Sequence, residues 1–256
     1  MRVVLADVEA PALAQAKAEL KDAGADVLSV LTDVSKAGDV EALARKTLDA
    51  YGAVHLLCNN AGVGAGATAW ESTINDWQWV IGVNLWGVLH GIHAFLPFML
   101  EQDDEGYIVN TASVAGLVSY AADAAYHLTK HAIVALSEKL YYDLAYRGAN
   151  VHVSVLCPGM VNTRIIDGGR NRPPELQDDR SEFVVTPEMV AAYETQRQAL
   201  EAGMSPEKVA DCVFRAIVEN QFYILTHPEL TPLIEARMAA LVRGQNPVDL
   251  RTVSVG

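Results

Sequence analysis

Residues 106–147 read GYIVNTASVAGLVSYAADAAYHLTKHAIVALSEKLYYDLAYR, and two periodicities meet inside them. Tyr107 to Thr111 is a short β-branched run ending in small polar residues; from about Ala124 the apolar residues recur at helical spacing. A strand therefore feeds a helix. On that helix Tyr126 and Lys130 stand four apart, so both lie on one face and the ammonium can approach the phenol. Ser113 precedes Tyr126 by a span of about 20 Å if helical throughout, so it reaches the tyrosine only from the strand end, with the intervening loop folded back.

Such a trio suits proton transfer at a carbonyl or alcohol. A phenol titrates near ~10, and bringing it to about 7 takes roughly 4 kcal/mol of preferential phenolate stabilisation. An ammonium about 4 Å away supplies that much at an effective dielectric of ~20, so Lys130 is expected to lower the tyrosine pKa. The Ser113 hydroxyl can hold the substrate oxygen. Read without context, the same residues are a surface pair and a turn serine.

Asn59-Asn60-Ala61-Gly62 upstream and Pro158-Gly159-Met160-Val161-Asn162-Thr163 downstream complete a pattern that resembles the short-chain dehydrogenase/reductase family, over nearly all of the chain up to about residue 165. The resemblance implies an α/β fold: one Rossmann-like domain over 1–256, with a doubly wound, mostly parallel sheet flanked by helices. It implies a nicotinamide cofactor, Tyr126 as acid/base, Lys130 bonding the nicotinamide ribose, and a homodimer or homotetramer paired through the long helices. Val161 and Thr163 would meet the nicotinamide carboxamide, and Asn60, Ala61 and Gly62 would form the turn beside the cofactor. Asn84 would bond backbone and order a water linking Lys130 to solvent; a helix kink is its structural alternative, compatible with the first. Asp33 and Val34 would border the adenine, although a turn and helix entry explains that pair equally well.

Arg2 to Ala6 is a strand with Asp7 at its end. If it is the family's second strand, Asp7 accepts from the adenine ribose hydroxyls and repels a 2′-phosphate, favouring NAD over NADP. This register leaves out the family's first strand and its glycine-rich pyrophosphate turn, so Met1 is read as an internal start in a native chain longer by one strand and one helix. The strands at 3–6 and 54–58 are then expected about 9.6 Å apart, two strand spacings, with nothing paired between them. Gly62-Val63-Gly64-Ala65-Gly66-Ala67 matches G-x-G-x-x-A, but the next strand begins some forty residues on, too far for a βαβ unit of ~30 residues.

A net charge of −13 argues against a nucleic-acid or anionic-membrane partner. Cys58, Cys157 and Cys212 fit reduced core thiols in a cytoplasmic protein. No signal peptide and no uncharged apolar run of transmembrane length is read. His90 with His93, and His127 with His131, have helical spacing but no glutamate, cysteine or carboxylate partner, so no metal is expected. Residues 164–203 read as a substrate lid. Phe222 to Glu229 loosely resembles bacterial members acting on bulky alcohols or ketones, so a bulky, apolar small-molecule substrate is expected. Two other classes compete: a catalytically silent relative serving as a scaffold, and a serine hydrolase on Ser113, which lacks a G-x-S-x-G elbow.

Overall fold

The computed structural model describes residues 1–65, 67–102, 104–120, 123–178 and 186–253. Strand β1 (Arg2–Asp7) pairs in parallel with β2 (Asp26–Leu31), and helix α1 (Ala10–Asp22) makes the crossover that a parallel pair requires. Helix α2 (Ala37–Tyr51) stops at Gly52, whose φ of 77° is the left-handed conformation glycine adopts without cost. Next come β3 (Leu56–Asn59), β4 (Gly106–Thr111), β5 (Val151–Cys157) and β6 (Tyr223–Leu225), a parallel sheet in that spatial order. Between the described residues β1 pairs only with β2, and β3 only with β4. The sheet is thus in two pieces, and the break falls where the first strand of the pattern was expected to be missing.

Side chains alternate across the strands, so each face of the larger sheet buries its own cluster. On one face Ile108 and Val153 pack with Val40 and Leu43 of α2, with Phe95 and Met99 of α4 (Gly87–Glu101), and with Leu140 and Leu144 of α5 (Ala124–Arg147). On the other, Val109, Leu156 and Ile224 pack with Ala216 of α7 (Pro206–Val218). Helices cover both faces. Two further helices, α6 (Pro187–Glu201) and α8 (Thr231–Val242), complete the described fold.

Helix α3 (Ile74–Ile81) starts at a Thr73–Asp76 capping box and runs through a π-helical turn, Gly82–Trp86, into α4. Residues 77–100 hold no charged side chain, which corrects the reading that no such run exists: Ile74–Glu101 is long and apolar enough to cross a membrane. The reason lies in the fold, since Trp79, Val80, Val88, Phe95 and Met99 are buried in the core. The three cysteines are free thiols. Cys157 is buried as expected, whereas Cys58 is exposed because β3 is an edge of its sheet.

Candidate active site

Every strand-end motif of the sequence comes to the carboxyl edge of the parallel strands. Asn59 donates to Asn110 Oδ1 at 2.9 Å, Asn110 to Ser137 Oγ at 3.0 Å, and Ser137 to the Ile133 carbonyl at 2.7 Å. Asn110 and Ser137 are fully buried, so this chain satisfies polar groups that would otherwise be costly. Gly91 is required beside it, because a Cβ there would strike the Asn59 amide. Thr111 Oγ1 donates to Asn60 Oδ1 at 3.1 Å, tying β4 to the turn after β3.

Past Thr111 the chain turns back through a 3-10 turn, Val114–Gly116, against α5. A Cβ on Gly116 would lie 2.5 Å from the Lys130 carbonyl oxygen, so only glycine permits this approach. The fold-back carries Ser113 to Tyr126, near enough for the serine hydroxyl to favour the phenolate. Ser113 Oγ accepts from the Ala115 N–H at 3.1 Å and lies 3.3 Å from the Pro158 carbonyl.

Lys130 is buried; its ammonium donates to the Thr111 carbonyl at 2.8 Å and sits 5.4 Å from the Tyr126 ring centre. Burial pulls the ammonium down to about 8. Burial is also the largest influence on the phenol, which is pushed up to about 12, with the Ser113 hydroxyl opposing and Tyr120 and Asp123 raising it further. The expectation that Lys130 lowers the tyrosine is therefore corrected for the protein's own groups. The ammonium is turned to a backbone carbonyl, and desolvation outweighs it.

Asn84 stands on the π-helical turn, fully buried. Its amide closes on Val63 from both sides, accepting from Val63 N–H at 2.8 Å and donating to Val63 C=O at 2.9 Å, and it reaches Thr129 Oγ1 at 3.1 Å. A Cβ on Gly62 would lie 3.5 Å from both Asn84 Oδ1 and Lys130 Nζ, so those two groups flank that bare turn. Asn84 both bonds backbone and marks the irregularity in its helix.

Asp7 is exposed at the end of β1, with Oδ1 accepting from Glu9 N–H at 2.7 Å. Asp33 accepts from Ser35 N–H at 3.1 Å and Ser35 Oγ at 2.6 Å and pairs with Lys36 at 3.2 Å, so it serves the turn and helix entry. The Val34 side chain packs on Gly87, and its carbonyl faces His90 Nδ1 at 2.9 Å, which gives that histidine a structural partner. Ala61 lies in the irregular turn after β3; Val161 bridges to Met204, and Thr163 is exposed. Gly66 lies outside the described residues. The described part of the glycine-rich run opens no helix before Ile74, against its reading as a phosphate loop. Among the described residues no three histidine, cysteine or acidic side chains gather as a metal site.

Two contributors escaped the sequence reading. His227 clamps the turn after β5: its Nδ1 accepts from the Gly159 N–H at 3.1 Å, and its Nε2 lies 3.1 Å from the Met160 carbonyl. No local pattern signals a partner 68 residues away. Arg172 anchors residues 172–178 by donating to Asp76 at 2.5 Å and Asp178 at 3.0 Å, with its guanidinium 5.4 Å from the Trp79 ring centre. Of the segment read as a lid, residues 179–185 lie outside the described residues.

The crevice along these strand ends, beside the point where strand order reverses, is where doubly wound sheets take dinucleotides. Lys130 fits one, since an ammonium has three donors and the buried Nζ spends one on Thr111. The class so defined is a nicotinamide-dependent oxidoreductase, and comparison with known proteins agrees. Residues 1–172 match the short chain dehydrogenase family. A solved short chain dehydrogenase/reductase from Burkholderia phymatum in complex with NAD is 46% identical, superposes with a TM-score of 0.93, and is covered over 88% of its chain by 97% of this one. The CLA biosynthesis dehydrogenase/reductase of Lactiplantibacillus plantarum is 32% identical over 96% of this chain and 86% of its own. The 1-deoxy-11-beta-hydroxypentalenate dehydrogenase of Streptomyces exfoliatus is 34% identical over 89% of this chain and 74% of its own. The chain belongs to the short-chain dehydrogenase/reductase family and is an NAD(P)-dependent dehydrogenase or reductase.

Proposed function

We propose that this enzyme interconverts a secondary alcohol and a ketone with NAD(H), using Tyr126 as general acid/base. The observation that carries the reading is the convergence of Ser113, folded back onto α5, with Tyr126 and the buried Lys130 ammonium 5.4 Å from the Tyr126 ring centre. Bound NAD(H) supplies or accepts the hydride. Ser113 holds the substrate oxygen, and Tyr126, a phenol that the protein keeps protonated, donates its proton to a carbonyl being reduced. In the reverse direction Tyr126 must give up its proton first, and a bound oxidised nicotinamide would add its positive charge to that of Lys130 in favouring the phenolate. Lys130 would give its spare donors to the nicotinamide ribose, and Asn84 fixes the turn and supports a water route from Lys130.

The exposed carboxylate of Asp7 supports NAD over NADP, by accepting from ribose hydroxyls where a 2′-phosphate would be repelled. Asn60, Ala61, Gly62, Val161 and Thr163 line the cofactor's path, with Asp33 and Val34 at its adenine end. Residues 164–203 form the substrate lid of a single 1–256 domain. Arg170 and Asn171 hold the lid to Glu9 at 2.5 and 2.7 Å, and Arg172 ties residues 172–178 to Asp76 of α3. The substrate is a small molecule, the enzyme acts in the cytoplasm with its thiols free, and exposed Phe98 on α4 with Tyr142 and Tyr146 on α5 supports helix pairing into a homodimer or homotetramer.

The test is spectrophotometric turnover of secondary alcohols with NAD. Tyr126→Phe is expected to lower kcat by at least about a thousandfold while leaving the Kd for NAD within about threefold. Comparable activity in the variant refutes the mechanism. A second reading, the silent scaffold, requires that no alcohol or ketone be turned over and that NAD give no thermal stabilisation.

A further inference from the structure

The loop into α5 carries a group that the reaction above does not use. Asp123 is the residue before the helix, and its backbone is left-handed, φ 51° and ψ 44°. A non-glycine residue pays for that conformation, although aspartate tolerates it better than most. The usual return, a side-chain bond capping the helix, is not made. The carboxyl is partly buried all the same, and burial raises its pKa.

Its neighbours are as unusual. His127 is 7% exposed, and its Nδ1 faces the Asp123 carbonyl at 3.0 Å. A carbonyl only accepts, so Nδ1 carries the hydrogen and Nε2 presents a bare lone pair. That Nε2 is buried and has no hydrogen-bond partner among the described residues, which a native interior seldom tolerates. Tyr120 packs edge-on against the same ring at 4.3 Å and is 51% exposed. Asp123 stands at the start of α5, three residues before Tyr126, and it and Tyr120 both act on the Tyr126 hydroxyl electrostatically.

We propose that the Asp123 carboxylate, flanked by His127 and Tyr120, forms a polar subsite that accepts a hydrogen bond from a second hydroxyl of the substrate, on the carbon next to the one oxidised or reduced. The inference rests on the alcohol–ketone reading and narrows it to vicinal diols and α-hydroxyketones. A carboxylate offers acceptors and no donor, so the ligand must bring the hydrogen. A substrate ammonium would also bring one, but the Lys130 ammonium beside Tyr126 disfavours a second cation in the same wall.

The experiment measures NAD-dependent kcat/KM for a panel of alkyl and aryl vicinal diols and for the mono-alcohols lacking the second hydroxyl. The ratio of diol to mono-alcohol is expected to exceed about tenfold in the wild type, because an acceptor left unpaired by the wrong substrate is penalised. Asp123→Gly, which keeps the left-handed backbone without strain, is expected to cut that ratio at least about tenfold. Asp123→Asn, which keeps an acceptor oxygen, is expected to hold it within about threefold. A wild-type ratio near one, or a ratio unmoved by Asp123→Gly because both substrates lose rate alike, overturns the subsite and leaves the dehydrogenase reading standing. Absence of turnover across the whole panel, with Tyr126→Phe indistinguishable from wild type, overturns both.

Discussion

The Lys130 ammonium donates to the carbonyl of Thr111, 2.8 Å away across the strand end, while the phenol one helical turn before it lies beside Ser113. The two groups share a face of α5 but are held by different partners. Burial therefore acts on each separately, and in opposite directions, down to about 8 for the base and up to about 12 for the acid.

That separation predicts a stability change at Lys130. A lysine depressed from its usual 10.5 to about 8 loses its proton in the native state before the unfolded chain does. The unfolded state binds more protons between about 8 and 10.5, so stability rises with pH across that window and is lowest below it. Lys130→Met removes the buried charge at similar volume and is expected to stabilise the protein by about 1–3 kcal/mol at neutral pH, the upper figure being the full linkage value. Denaturant melts at neutral and alkaline pH check this: the gain should shrink towards the upper end of the window. A variant less stable at neutral pH contradicts the account.

For Tyr126 the sign reverses. Its native pKa of about 12 lies above the usual 10, so the native state keeps the proton while unfolded chains ionise, and this contribution to stability is lost as pH rises from about 10 to 12. The stability of the wild type relative to Tyr126→Phe should therefore be constant below that window and fall across it as the unfolded phenol ionises first. Added NAD should move the phenolate absorbance assigned by difference against the Phe variant downward by two or more pH units. An unmoved titration would leave the oxidation direction without a base.

Asp7 offers a test of cofactor choice that does not disturb the backbone. Asparagine keeps the oxygen that accepts from Glu9 N–H at 2.7 Å and loses only the charge. Asp7→Asn is expected to raise the NADP-to-NAD ratio of kcat/KM by about tenfold or more, as removal of a repelled phosphate contact requires. Equal ratios in variant and wild type would take Asp7 out of the cofactor site.

Much of this site is legible in the residues, and what is not has a physical reason. Tyr126 and Lys130 follow from helical period, and the strand ends of β3, β4 and β5 from short apolar runs closing on small polar residues. The return of Ser113 depends on Gly116 lying against a backbone carbonyl, a contact between elements that no local spacing encodes. His227 and Gly159 meet only because β6 joins the edge of β5. The phenol pKa was missed for a different reason: a pairwise Coulomb estimate contains no desolvation, and here desolvation is the larger effect.

His227 can be tested on the same logic. Its ring fixes the turn that carries Val161 and Thr163, accepting from Gly159 N–H while the other nitrogen faces Met160 C=O. His227→Ala leaves that amide without its acceptor and is expected to cost about 1–3 kcal/mol of stability and to raise KM for the dinucleotide several-fold more than it lowers kcat. Isothermal titration with NAD and a chemical melt separate the two effects. A change confined to kcat would place His227 in the chemistry instead of the turn.

The Arg172 anchor couples stability to the attachment of residues 172–178. Its side chain is 9% exposed and is shared by Asp76 and Asp178, whose side chains are 6% and 17% exposed, and Asp178 also accepts from Thr73 and Asn75 at the start of α3. Removing one partner of a buried ion group leaves the others desolvated, so Arg172→Met is expected to destabilise by about 3–5 kcal/mol even though the apolar contact with Trp79 is partly kept. Because the same guanidinium holds residues 172–178 to α3, protease nicking in that segment should increase, and kcat/KM should fall more than NAD affinity does. Asp178→Asn in the Arg172→Met background lowers the negative charge left at the site and should recover part of the lost stability but not the attachment of residues 172–178. Recovery of both together would mean that the ion group is only a stability element and that the segment is held by something else.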